Sequence, residues 1–229
     1  MTKLRPRGRD SRTSLLNFGR HLVYAEGEKT EPNYVNEIKG LIAKKYQKNP
    51  NDIDVIIASE GGKSTIQLFD FAKKDIKKRI KNNETINHVW LFFDKDDFKI
   101  DNFKKTIENI EKMNNSEKTN DEGFKYDNKT LISWHACFSN EAFELWYCLY
   151  FNYLESQLTR KDYEEILNKK LSPDKYNKNN INNHELLLKH NGKLDNAIKN
   201  AKKLFKINGI INPSTKVFEF IEYFKAYMG

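Results

Sequence analysis

Two short acidic segments hold the residue types most capable of chemistry in this chain. They are Glu26-Gly27-Glu28-Lys29-Thr30-Glu31 and Asp94-Lys95-Asp96-Asp97. Each directly follows an apolar run that reads as a buried strand. In open α/β sheets, binding and catalytic groups collect at the carboxyl ends of strands. If these two strands are close neighbours, several carboxylates crowd one edge of the sheet. Two unit charges ~5 Å apart repel by roughly 3 kcal/mol at an effective dielectric near 20. A divalent cation turns that repulsion into attraction, and oxygen donors suit Mg²⁺ or Mn²⁺ rather than zinc. Gly27 lets the backbone turn sharply after Glu26. Acids in such places also cap helices or simply face water, so both readings stand at this point.

The elements that must position these acids can be read from periodicity. His21–Ala25, Ile53–Ala58 and His88–Phe93 are continuous apolar runs, the pattern of buried parallel strands. Each precedes a helical pattern: Val35, Ile38, Ile42 and Tyr46; then Leu68, Phe69, Ala72, Ile76 and Ile80; then Phe103, Ile107 and Ile110. Thr30 is the expected cap of the first helix, with Pro32 in its first turn. Ser64 and Gln67 give the second a capping box. A fourth strand is expected over Thr130–Phe138, after a polar loop at Asn114–Asn128. A helix beginning near Asn140 then carries Phe143, Trp146, Leu149 and Tyr153 on one face. Past about residue 155 the chain reads as helical and polar. The expected fold is α/β: a central parallel sheet with helices on both faces and a C-terminal helical extension. The expected divisions are a basic arm (1–20), the α/β domain (21–155) and the extension packed on it (156–229).

Composition sets the wider limits. Apolar residues make up 38 % of the 229, enough for a packed core, which excludes a disordered chain. Forty Lys and Arg against 32 Asp and Glu leave a charge of +8. That excess favours a polyanionic partner or reflects solvated helix faces. Arg5, Arg7, Arg9 and Arg12 form a basic arm of the kind that contacts phosphates. Cys137 and Cys148 lie in apolar stretches without a CxxC motif, as core thiols of a cytoplasmic protein do. No apolar run approaches the ~18 residues needed to span a bilayer, so no membrane partner is expected.

Other residues invite weaker readings. Gly61-Gly62-Lys63-Ser64-Thr65 lacks the early glycine of an ATP-binding P-loop, because Ile57 stands there. A turn into a capped helix suffices, with Lys63 able to touch a phosphate at the helix start. Asn140, Glu141 and Glu144 either complement a helix dipole or bring Glu144 to the metal edge. His135 reads as a hydrogen-bonded core histidine, and Trp90, Trp134 and Trp146 as core. His184 and His190 lie in a polar region with no further ligand evident.

The stretches VYAEGEKTEPNY and VWLFFDKDDF resemble the Toprim pattern, in which a Glu follows the first strand and Asp-x-Asp a later one. That pattern occurs in topoisomerases, primases and overcoming-lysogenization-defect (OLD) type nucleases. With CFSNEAFELWYCLYF and NPSTKVFEFIEYF added, the chain resembles the RloB-like family more closely, over most of residues 20–225. That family is found near restriction loci and is associated with defence against phage. The resemblance implies a Toprim-like fold and metal-dependent cleavage of phosphodiester bonds in RNA (transfer RNA included) or DNA. It implies Glu26 as acid/base or metal ligand, and Asp94 and Asp96 as metal ligands. Glu31 resembles a second motif glutamate, with Lys29 lengthening the spacing by one residue. Lys95 and Lys29 are the nearest lysines able to stabilise developing charge. An ATPase of the ABC or AAA type is the implied partner, and homo-oligomers are left open. The rival reading is a non-catalytic module that binds nucleic acid or the ATPase.

The basic arm yields a direct expectation. Replacing Arg5, Arg7, Arg9 and Arg12 with Ala should weaken nucleic-acid binding and flatten its salt dependence, measured by titration at several salt concentrations. An unchanged salt slope assigns the arm no role in phosphate contact.

Overall fold

The computed structural model describes residues 18–58, 62–95, 100–114 and 131–229. Arg5, Arg7, Arg9, Arg12, Asp96 and Asp97 lie outside the described residues. The sheet has five strands in the order β2-β1-β3-β4-β5. These are β1 (His21–Ala25), β2 (Val55–Ile57), β3 (His88–Asp94), β4 (Ser133–Asn140) and β5 (Ser214–Thr215). The first four are mutually parallel, and β5 pairs antiparallel with the end of β4. The fold class is the one expected, a Toprim-like parallel sheet with helices on both faces and further helices after it.

Helices α1 (Thr30–Lys45), α2 (Thr65–Lys81) and α3 (Ile100–Asn114) follow β1, β2 and β3. Helix α2 has the expected Ser64–Gln67 capping box, whereas α1 is entered from Lys29 without a side-chain cap. Thr30 is therefore the first helical residue rather than the cap.

The sheet separates two cores. On one side α2 and α3 bring Leu68, Ala72, Phe103 and Ile107 against Leu22, Leu91 and Phe138. On the other, α1 shares a core with α4 (Glu144–Cys148), α5 (Arg160–Lys170), α6 (Asn183–Lys189), α7 (Leu194–Asn208) and α8 (Val217–Met228). Trp90, Trp134, Trp146, Cys137 and Cys148 are all buried. No described helix is long and apolar enough to cross a membrane.

Two expectations need correction. The helix near Asn140 is only the short α4, because Asn140 still belongs to β4. Residues Leu145–Tyr150 are buried on every side, so the apparent one-faced pattern was that of a fully enclosed segment. The late chain is also not purely helical, since β5 adds an edge strand whose Thr215 hydroxyl bonds the Phe138 carbonyl at 3.0 Å.

Near the amino ends of β1 and β3, α8 covers a stack of rings. His21 and His88 stack at 4.5 Å, and Trp90 and His135 at 3.8 Å. Trp90 Nε1 donates to His21 Nδ1 at 2.9 Å, so His21 carries its proton on Nε2 and donates it to the Phe18 carbonyl at 2.9 Å. Tyr223 donates to the same carbonyl at 3.1 Å. His88 Nε2–H then donates to Tyr223 at 3.0 Å, and His88 Nδ1 accepts from His135 at 3.1 Å. Both ring nitrogens of His21 and of His88 are committed, and an added proton on His21 would face the Trp90 N–H. Burial accordingly pushes His21 and His135 down to about 3 and His88 to about 4.

Depressed histidines stabilise the fold above pH ~6.5, where the unfolded rings are also neutral. That stability is lost as pH falls toward the folded values, with His21 alone giving up about 2 kcal/mol by pH 5. In NMR titration the ring signals of His21, His88 and His135 should stay at their neutral positions from pH 8 to pH 5. A midpoint near 6.5 for any of them contradicts this assignment.

Candidate active site

The parallel pairing of β1 with β3 brings the two acidic segments side by side. Ala25 is in register with Phe92, and the Glu26 N–H donates to the Phe92 carbonyl at 2.9 Å. Glu26, Glu31, Asp94 and Glu144 all line one cavity of about 340 Å³ at the carboxyl edge of the sheet. Glu26 enters from the end of β1, Asp94 is the last residue of β3, and Glu144 opens α4 after β4.

Glu31 reaches the cavity by folding back from the first turn of α1. The Gly27 N–H donates to its carboxylate, and any Cβ on Gly27 would collide with that group. Burial, then repulsion from Glu144, pushes Glu31 up to about 7, against the opposing pull of Arg160. Burial pushes Asp94 well up too, reinforced by Glu31 and Glu144. Asp94 Oδ2 accepts the Phe143 N–H at 3.1 Å and Arg160 Nη2 at 3.1 Å. Glu144 Oε1 accepts the Tyr176 hydroxyl at 2.8 Å, while its Oε2 lies 3.9 Å from Arg160 Nε.

The other sequence-derived candidates are distributed as follows. Lys29 lines the cavity. Lys95 continues the β3–β4 ladder through its N–H to Ser139, and it is not among the lining residues. Lys63 holds its ammonium 4.8 Å from the centre of the Phe71 ring, while Gly62 beside it reaches the cavity. His135 is held by His88, His184 is buried against the Tyr150 hydroxyl at 2.8 Å, and His190 pairs with Asp174 at 2.9 Å.

Sequence reading missed Arg160, Glu164 and Lys178, which line the cavity, and Tyr176, which bonds Glu144 beside it. A capping box between Thr159 and Asp162 marks the start of α5 but does not say where Arg160 points.

Among the described residues no three His, Cys, Asp or Glu side chains are arranged as the ligands of one ion. Arg160 stands among the acids instead. The donor chemistry nevertheless fits a hard divalent cation. The groups are all oxygen, three of the four are buried with Glu26 half-buried, and their repulsion is met by a guanidinium carrying one charge. Glu26, Glu31, Asp94 and Glu144 are the described residues that would hold it.

An α/β protein with an acidic pocket at the carboxyl edge of its sheet, closed by later helices, is the class that fold and pocket define. The chain belongs to the RloB-like protein family, whose model matches residues 21–224. That span contains every residue lining the pocket. Comparison with curated proteins and with solved structures gave no match.

The Gly27 contact makes a local test. Gly27→Ala should cost about 1–3 kcal/mol in urea unfolding, because Glu31 must move off its backbone donor. Gly40, within α1, has open space around its missing side chain. Gly40→Ala should stabilise by about 0.5–1 kcal/mol. Equal effects of the two substitutions contradict the close approach.

Proposed function

We propose that this pocket is the active site of a metal-dependent nuclease that hydrolyses phosphodiester bonds in RNA, transfer RNA among them, or DNA. We further propose that it acts as the effector of an anti-phage defence system together with an ATPase partner. The observation carrying the reading is the burial of Glu31, Asp94 and Glu144 around one cavity beside Glu26. Membership of the RloB-like family supports it.

Mg²⁺ or Mn²⁺ bound there would supply charge neutralisation and an activated water. The protein's own residues do the rest. Glu26 and Asp94 present carboxylates from two adjacent strand ends, so substrate and cation meet on a rigid edge. Glu31, folded back onto the Gly27 N–H, adds a further carboxylate to that edge. Lys29, Arg160 and Lys178 at the cavity draw in phosphate and offset charge on the departing oxygen.

The test uses purified protein with DNA and total RNA, in Mg²⁺ and in EDTA, with and without a candidate ATPase. Asp94→Asn and Glu26→Gln keep side-chain size. Asp94→Asn also keeps an oxygen for the Phe143 N–H and relieves repulsion from Glu31 and Glu144. Both variants should melt near the parent temperature in EDTA, gain less from Mg²⁺, and cleave on the order of 100-fold more slowly. Folded variants that cleave as fast as the parent would make the acids structural. Intact nucleic acid held tightly by the parent favours the binding-module reading.

A further inference from the structure

Arg160 comes from the late helices and is set directly against the buried acids. Its Nη2 lies 3.1 Å from Asp94 Oδ2 and its Nε 3.9 Å from Glu144 Oε2. Both acids are otherwise fixed, Asp94 by the Phe143 N–H and Glu144 by the Tyr176 hydroxyl. The side chains differ sharply in exposure: 42 % for Arg160, 10 % for Asp94 and 4 % for Glu144. The acids are therefore held by other parts of the protein, and the Arg160 side chain reaches from them to solvent. Its stem is anchored at the first position of α5, which the bonds between Thr159 and Asp162 secure.

We propose that Arg160 is a displaceable counter-ion. It neutralises Asp94 and Glu144 in the metal-free protein and competes with the divalent cation for their oxygens. Once displaced, it turns to the phosphate of the bound nucleic acid. This rests on the metal-nuclease reading of the pocket. A guanidinium suits the dual task because its planar fork matches carboxylate and phosphate alike. A single positive charge answers only part of the repulsion among three carboxylates, so a doubly charged ion displaces it. By linkage, whatever Arg160 gains from these acids is subtracted from cation binding.

The decisive measurement is calorimetric titration of the full chain with Mg²⁺, without nucleic acid. Arg160→Gln should bind Mg²⁺ about five- to tenfold more tightly than the parent. It should melt lower in EDTA and recover in Mg²⁺, and at saturating Mg²⁺ it should cleave at least about tenfold more slowly. Arg160→Lys keeps the charge and loses the fork, so its Mg²⁺ affinity should stay near the parent's while cleavage falls. Unchanged or weaker Mg²⁺ binding by Arg160→Gln overturns the counter-ion role and leaves the metal reading standing. No Mg²⁺ binding by parent and variant alike overturns both. Should Arg160→Gln fail to fold without metal, Arg160→Lys decides. Unimpaired cleavage, or a large change in its Mg²⁺ affinity, overturns the proposal.

Discussion

Glu31, Asp94 and Glu144 are 4 %, 7 % and 3 % exposed, yet all three face one cavity. Carboxylates so placed lose hydration and repel one another, and a fold that contains them must supply compensation at each oxygen. Much of the surrounding structure answers that demand. Gly27 and Phe143 donate backbone N–H groups, Tyr176 donates its hydroxyl, and Arg160 brings a charge. These donors come from the end of β1, from the turn before α4 and from the helices after residue 155. The pocket is thus the place where early and late parts of the chain are obliged to meet.

The amino end of the sheet is built on the opposite principle. Beneath α8 the polar groups are imidazoles, an indole and a phenol, joined in one run of hydrogen bonds, with the Arg20–Asp54 ion pair lying at the nearby surface. Helix α8 closes this end by laying Phe220, Tyr223 and Phe224 against His21 and Trp90. Hydrogen-bonded neutral groups add cohesion without the repulsion that the carboxylates at the other end carry.

How much of this could be read in advance depended on whether the signal was local. Strands β1 and β3 were legible because continuous apolar runs have few other meanings, and their acids at the carboxyl ends followed from the topology. The capping box of α2, from Ser64 to Gln67, is a short local pattern and equally plain. Strand β5 is two residues long and follows Pro213, too little for any periodicity to register. The extent of α4 was misjudged because its residues are enclosed all round, which erases the contrast between faces. Arg160 and Tyr176 were invisible as pocket residues because their relation to Asp94 and Glu144 exists only in three dimensions. Nothing in the residues flanking Arg160 distinguishes it from the solvated bases elsewhere in that helical stretch.

The division of the pocket along the chain has a consequence for how it comes into being. Synthesis delivers Glu26, Glu31 and Asp94 first, then Glu144, and only afterwards Arg160, Tyr176 and Lys178. Helix α8, which covers the ring stack of β1 and β3, emerges last of all. A nascent chain thus carries its acids before it owns Arg160 and Tyr176, which pair with them. The burial of Asp94 and Glu144 beside their partners can be completed only once Arg160 and Tyr176 have been made.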